Sequence, residues 1–516
     1  MKTTQLQPDS LLGAKPKFSF RPLIRAFLLM IFLLPALVSR AQQVFYTIDG
    51  SKSASNSNYK DFASAFADLD SGKRFDGGTP NGPGISAHVT ITVAAGEYAG
   101  GVVLYPVPGA SALHQIDILG QSNPTNTFIV ANKLPAGDSV NPQLKNYTNS
   151  GVGIVLLGAS HVTFGYMGFK NGNDSNFYTT LIAVFNQSSG LNFVECSLHN
   201  YRGYNFYAPS VHDMTIRQCY SYCKSAYANI YLSENYSDDS GQVTIQECSI
   251  ISDSSSYGIT AQFLHNITVT GNQIVDPIGY GGLDFEQCPT ITEISYNQII
   301  ANQGMGINIF RTYNTPKNPL NIFNNSIVGS AGIGLNDFDN INVYFNSIDV
   351  KNEWKVPASW YCGIGVFYKS TSNAHASGLN IANNCIKATH GDAALFIEDS
   401  RAVNSMDYNN LYSDSGICIY GAGSSPKLYK KLSDWQSNFF FDAHSISVDP
   451  KYNGPTNLLP SETALKVGKN IFSILFDINH NYRNVRNPTI GAYEIPYAQL
   501  VDTTVCYGTV SGILPR

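Results

Sequence analysis

One column of residues constrains this chain more than any other feature. Between about residue 150 and residue 420 a phrase of the form apolar-x-apolar-x-x-(Cys or Asn)-x-apolar recurs, with Met167, Cys196, Cys219, Cys248, Asn272, Asn297, Asn325, Asn346, Asn384 and Asn409 at the marked place. These stand 29, 23, 29, 24, 25, 28, 21, 38 and 25 residues apart. A second phrase alternates with it, a short run led by glycine: Gly258-Ile-Thr-Ala, Gly282-Leu-Asp-Phe, Gly306-Ile-Asn-Ile, Gly332-Ile-Gly-Leu, Gly363-Ile-Gly-Val and Gly416-Ile-Cys-Ile. Apolar residues in both phrases fall at every second position, the period of a strand with one buried face.

A strand pair in each period, joined by connections too short for a crossover helix, predicts a coil in which each strand bonds to its equivalent one turn later. The expected fold is therefore all-β, a parallel β-helix, a solenoid whose turns absorb the variable spacing. A propeller is excluded because its blades need four strands in about 40 to 50 residues. Stacked coils place equivalent side chains about 4.8 Å apart. The column Asn272, Asn297, Asn325, Asn346, Asn384 and Asn409 is then expected to be a structural amide ladder, and the Cys residues before it small buried fillers.

The flanks add a boundary at each end. Lys2, Lys15, Lys17, Arg21 and Arg25 precede an apolar run from Ala26 to Val38, followed by Ser39-Arg40-Ala41, the layout of a secretory signal peptide. The run is too short for a stable membrane span, for which about 20 residues are needed. Residues 1–41 are read as the leader and 42–85 as an N-terminal cap region, whose short helix carries Phe62, Phe66 and Leu69 on one face, with Asp61 as N-cap and Gly72 past its end. The coil is assigned to 86–425, with Val89 to Val93, Gly96-Glu-Tyr98 and Val102 to Leu104 as its opening turn.

The C-terminal part carries Asp434-Trp435, Asp442-Ala-His-Ser445, Val448-Asp-Pro450-Lys-Tyr452, Asp477, Arg483 and Ile490-Gly-Ala-Tyr-Glu494. With the β-helix phrases, this resembles the pectin-lyase-like superfamily of right-handed parallel β-helices, and in particular the end-cap of secreted bacterial proteins called choice-of-anchor Q proteins, as in Bacteroidetes. The resemblance implies an end-cap over 426–496 and biology at a cell surface or on extracellular polysaccharide. Residues 497–516, with Val505-Cys506-Tyr-Gly508, look like a linker or the first strand of an immunoglobulin-like or PKD-like module, which implies further C-terminal modules in a longer chain.

Charged residues make up 13% of the chain and its formal net charge is -5. That charge supplies no basic field for phosphates, so nucleic acid is not expected as a partner, and a polysaccharide or glycan surface is. Strand alternation in Gly282-Leu-Asp-Phe-Glu286 sends Asp284 and Glu286 outward together. The neighbouring coils offer Thr260 and Gln262 on one side and Asn308, Arg311, Asn336 and Asp337 on the other. Two carboxyl groups there could act as acid and base on a glycosidic bond. They could instead hold Ca²⁺ while Arg311 or Lys369 takes a proton beside a uronate carboxyl. The expectation is that no cofactor is required, with Ca²⁺ as the one alternative. Outward Tyr231, Phe310 and Phe367 could stack on sugar rings. The phrases Asn-Thr-Asp and Gly-His-Gly of polygalacturonases and the Arg-x-Pro-x-x-Arg of pectate lyases are missing. The expectation is accordingly a secreted or cell-surface protein that binds glycans or serves as a scaffold or adhesin, with a polysaccharide lyase or glycoside hydrolase as the alternative. His390-Gly-Asp392 with Glu398-Asp399-Ser-Arg401 is a second candidate cluster.

Overall fold

The computed structural model describes residues 43–135, 141–172, 178–234, 241–253, 257–276, 278–351, 362–367, 376–389, 392–421 and 426–496. The leader, Lys369, His390 and residues 497–516 lie outside them.

Most coils contain three strands, where the sequence pattern suggests two; in two coils the second and third run together as Gln298–Tyr313 and Ser326–Asp339. A representative turn runs through Ile267–Thr270, Gln273–Val275 and Gly281–Glu286. What reads as one apolar phrase is broken because the residue before every marked position is left-handed. Tyr166, Glu195, Gln218, Glu247, Gly271, Tyr296, Asn324, Phe345, Asn383 and Tyr408 all have φ between 51° and 67°. That conformation is uncommon for residues other than glycine, and here it turns the same corner in every coil. The strands accordingly form three parallel faces. The first is a 14-stranded sheet from the N-terminal strands to Val403–Asp407, and the second and third join in a 24-stranded network. An antiparallel strand is added at the end, where Lys427–Tyr429 pairs with Gly416–Tyr420.

The stack opens earlier than residue 86. Val44–Ile48 lies in register beside Val89–Val93, from Val44 opposite Val89 to Ile48 opposite Val93. Helix Phe62–Ser71 lies over this end; Asp61 accepts the amide of Ser64 at 2.7 Å and Gly72 closes the helix in a left-handed conformation. Phe62, Phe66 and Leu69 are buried against the first coils.

Inside, each column is chemically uniform. Ile245, Val269, Ile294, Ile322, Val343 and Ile381 stack along the first sheet. At the corner, each Asn from Asn272 to Asn384 donates its Nδ2 to a carbonyl of the preceding coil at 2.8–2.9 Å. The same Nδ2 reaches the Oδ1 of the next column member at 3.0–3.2 Å, and that Oδ1 also takes the backbone amide at 3.0–3.1 Å. In the earlier coils a thiol stands in as acceptor: the amides of Cys196 and Cys219 point at the Sγ of Cys219 and Cys248 at 3.4 and 3.5 Å. The described cysteines are buried thiols. Glycine leads the third strand because of close approach. A Cβ on Gly258, Gly282 or Gly306 would come within 2.6, 2.4 or 2.2 Å of the Cγ2 of Ile274, Ile299 or Ile327.

The C-terminal segment both caps and straps. Buried Asp442 terminates the ladder, accepting from Asn409 Nδ2 at 3.1 Å and from Ser445 Oγ at 2.5 Å, while its other oxygen takes Trp435 Nε1 at 2.9 Å. From there the chain runs back along the left-handed corner instead of stopping at the end of the stack. His444 stacks on Tyr408 at 4.7 Å, Lys469 exchanges bonds with Asn383, and Arg483 lies 3.9 Å over Phe345. The Arg483 guanidinium also donates to Asn324 Oδ1 at 2.6 Å, and His480 stacks on Tyr296 at 5.1 Å. Asp477 accepts from the amides of Asn479, Asn481 and Glu494, so the phrase around Arg483 and Glu494 is the strap's own framework.

Candidate functional site

The outer face of the third sheet is covered at both ends. Toward the N-terminus, Leu134, Leu144 and Tyr147 pack on Val155, Leu157 and Phe185. Toward the C-terminus, Phe367, Phe396 and Cys362 form a cluster of their own. Between the covers a tyrosine stands at or just before the start of the third strand in five successive coils: Tyr178, Tyr204, Tyr227, Tyr257 and Tyr280. Their rings, with Tyr207 and Tyr231, form a continuous array. Tyr178–Tyr204, Tyr204–Tyr231, Tyr227–Tyr231, Tyr227–Tyr257 and Tyr257–Tyr280 centroids lie 5.9, 5.9, 6.4, 6.0 and 6.3 Å apart. Tyr178, Tyr227 and Tyr280 keep 42%, 43% and 73% of their surface exposed, an uncommon outlay of large rings on a polar face. Sequence reasoning singled out only Tyr231 in this array, although the recurrence of Tyr ahead of each third strand was visible.

Asp284 and Glu286 adjoin the array, and the structure treats them differently. Leu283 and Phe285 enter the core, so both carboxyls leave the other side of the strand. Asp284 is nonetheless fully buried, which corrects the expectation of a solvent-facing pair. Its Oδ1 accepts Asn308 Nδ2 at 2.8 Å, while its Oδ2 and the Oγ1 of Thr260, its register neighbour, are buried without a hydrogen-bond partner. Burial, helped by the Glu286 charge and opposed by the Asn308 bond, pushes the Asp284 carboxyl up to about 6. Glu286 accepts Gln262 Nε2 at 2.8 Å, and Gln262 Oε1 accepts the Tyr231 hydroxyl at 2.8 Å. Burial first, and then the two carboxylates, raise the Tyr227 and Tyr257 hydroxyls.

The remaining predicted residues scatter around this centre. Phe310 lies opposite Glu286, and Asn336 one coil beyond, with its Oδ1 buried and unpartnered. Arg311 follows Phe310 in a left-handed turn that aims it away from the strand. Its guanidinium sits 3.5 Å from Asp337 and 4.9 Å over the Phe310 ring, so the structure does not bring it to the carboxylates. Phe367 is stacked on Phe396 at 5.0 Å and buried, which removes it as an open sugar platform. Lys369 lies outside the described residues, as does His390. Arg401 is engaged by its near neighbour Asp399, with Nε to Oδ2 at 2.8 Å. Ca²⁺ takes six to eight oxygens, of which the Asp284 and Glu286 carboxyls would supply only part. Only one carboxylate oxygen of Asp284 is free, and no cluster of three or more His, Cys, Asp or Glu is placed to hold a metal among the described residues.

Asp284 makes stability depend on pH. Its folded pKa is raised above the unfolded value, so its share of stability is complete below about pH 4 and is lost as pH rises through about 6. Asp284→Asn is therefore expected to match the parent near pH 4 and to exceed it by about 2–3 kcal/mol at pH 8. Urea unfolding at both pH values checks this; an equal difference at the two would contradict it.

Residues 180–348 match the family model described as a right handed beta helix region. The coil is a right-handed parallel β-helix. No curated protein matches the chain significantly by sequence. Among solved structures, the right-handed β-helix described here is similar to the PL6 family alginate lyase AlyGC, with 11% identity over 74% of this chain and 53% of that one and a TM-score of 0.40. It is also similar to rice weevil pectin methyl esterase, with 10% identity over 78% of this chain and 90% of that one at a TM-score of 0.29. For Escherichia coli ybhc the figures are 8% identity, 70%, 77% and 0.22. The chain spans about half the length of the alginate lyase structures it matches. Similarity of this degree carries nothing about activity.

Proposed function

We propose that this β-helix is an exported protein that binds glycans on the outer face of its third sheet. The reading rests chiefly on the tyrosine array, which carries exposed rings and is joined through the Tyr231 hydroxyl to Gln262 and through it to Glu286. Flat rings take the apolar faces of sugars while neighbouring amides and a carboxylate take the hydroxyls. Surface display agrees with the leader-like N-terminus and with the end-cap phrase, which resembles that of secreted bacterial β-helix proteins. Binding is favoured over turnover because Asp284 is sealed from solvent and Arg311 is held by Asp337.

Lyase or hydrolase action is the second reading, and the Asp284 carboxyl near 6 is the observation that favours it, since that value suits a general acid. A panel of acidic and neutral polysaccharides tests both readings. Retention without new unsaturated or reducing ends is expected. Removing two rings with Tyr227→Ala and Tyr280→Ala should weaken retention about tenfold or more, at roughly 0.5–1.5 kcal/mol for each aromatic contact. Unchanged retention by this folded variant would place the binding face elsewhere, and the appearance of new chain ends would favour the enzyme.

A further inference from the structure

The left-handed corner carries one outward side chain per coil, and the column has a single gap. Of the ten residues that precede the marked positions, only Gly271 has no side chain. A cavity of about 500 Å³ opens at that notch. Glu247, one coil earlier, forms one wall, and Tyr296, one coil later, forms the other. The second sheet contributes Gln273 and Gln298, which face each other in register on adjacent strands. The strap reaches its far end here, where His480 stacks on Tyr296 with the planes 22° apart. The notch is thus built by two separate features, a missing side chain in the coil and the limit of the C-terminal strap.

We propose that this notch binds a single pyranose residue bearing an ammonium group, an amino sugar. The volume falls in the range of small-ligand sites, about 300–1,000 Å³. Two amides spaced by one strand separation, about 4.8 Å, can bracket vicinal hydroxyls, and the Tyr296 and His480 rings supply a flat wall. Glu247 selects the charge. Its carboxylate attracts an ammonium and repels a uronate, and among the described residues no Lys or Arg lines the cavity to compensate the latter. The site lies at the corner of the first and second sheets, away from the tyrosine array on the third, so it stands or falls separately from the proposed function.

Gly271→Gln tests it by filling the notch with a side chain that the same corner carries in another coil. Glutamine already occupies the equivalent left-handed position at Gln218, and a Cβ at 271 meets the Cγ, N and Cα of Glu247 at 3.5, 3.7 and 3.9 Å, ordinary contacts, so the cost is the left-handed backbone alone. Saturation-transfer NMR and calorimetry would use methyl glucosaminide, N-acetylglucosamine and glucuronate as probes. The parent is expected to prefer methyl glucosaminide. Gly271→Gln should lose at least tenfold in affinity while unfolding as cooperatively as the parent at a somewhat lower midpoint, Glu247→Gln should lose the preference for the charged amine, and Tyr227→Ala with Tyr280→Ala should bind as the parent does. Equal binding by Gly271→Gln, equal binding of glucuronate by the parent, or no binding of any probe would each overturn the proposal.

Discussion

Asn297→Leu is expected to lower the unfolding free energy by about 2–4 kcal/mol, because leucine fills a similar space but cannot hydrogen bond. The Asn297 side chain accepts both the backbone amide and the Nδ2 of Asn272 at 3.0 Å, and donates to Val269 O at 2.9 Å and Asn325 Oδ1 at 3.0 Å. Asn325 keeps the backbone amide of Asn297 as a donor, so the loss concentrates on the Asn272 amide, which has no other acceptor among these bonds. A buried donor left unmade costs about 1–3 kcal/mol, and the other broken bonds add to it. Asn297→Cys provides the internal comparison. Sγ already accepts this amide in the earlier coils, so cysteine should cost less than leucine. The check is urea unfolding, with the midpoint shifted and the slope unchanged. A midpoint equal to that of the parent would mean that the ladder adds nothing to stability.

Asp442→Ala should be at least as damaging, at about 3–5 kcal/mol. Its carboxylate receives Asn409, Ser445 and Trp435, all in a site closed to solvent, so removal takes the acceptor from the Trp435 and Ser445 donors and leaves Asn409 Nδ2 only Ile381 O at 3.3 Å. Burial also raises the Asp442 carboxyl above its ordinary range despite those three bonds. The consequence is local before it is global. Helix Leu432–Phe439, whose buried residue is Trp435, should become the first point of cleavage in limited proteolysis, ahead of any cut in the central coils. An unchanged cleavage pattern would show that the cap is held by its aromatic packing alone.

These two positions mark how far the sequence could be read. The column from Asn272 to Asn409 and the glycines ahead of the third strand were legible because stacking repeats the same steric demand in every coil. The split of the apolar phrase into a first and a second strand was not, since the corner is made by left-handed Tyr296, Asn324, Phe345 and others that share no chemical type. Only a backbone conformation unites them. Asp442 was recognisable as a fastening for the end-cap. The path of the strap was hidden, because the contacts of Arg483 with Asn324 and of Lys469 with Asn383 join residues 159 and 86 positions apart. At the candidate site, alternation placed Asp284 and Glu286 on the correct side of the strand but could not tell that Asn308 and neighbouring coils close over Asp284. It also missed that Arg311 turns away in a left-handed residue toward Asp337.

Hydrogen exchange of the protein with and without the polysaccharide it retains most strongly tests the central claim most directly. Binding on the tyrosine and carboxylate face predicts added protection in Ala228–Ser233, Tyr257–Gln262 and Gly281–Glu286, with the first-sheet strands Val243–Gln246 and Ile267–Thr270 of the same coils unchanged. Protection confined to the first sheet or to the strap, or no polysaccharide retained at all, would contradict it.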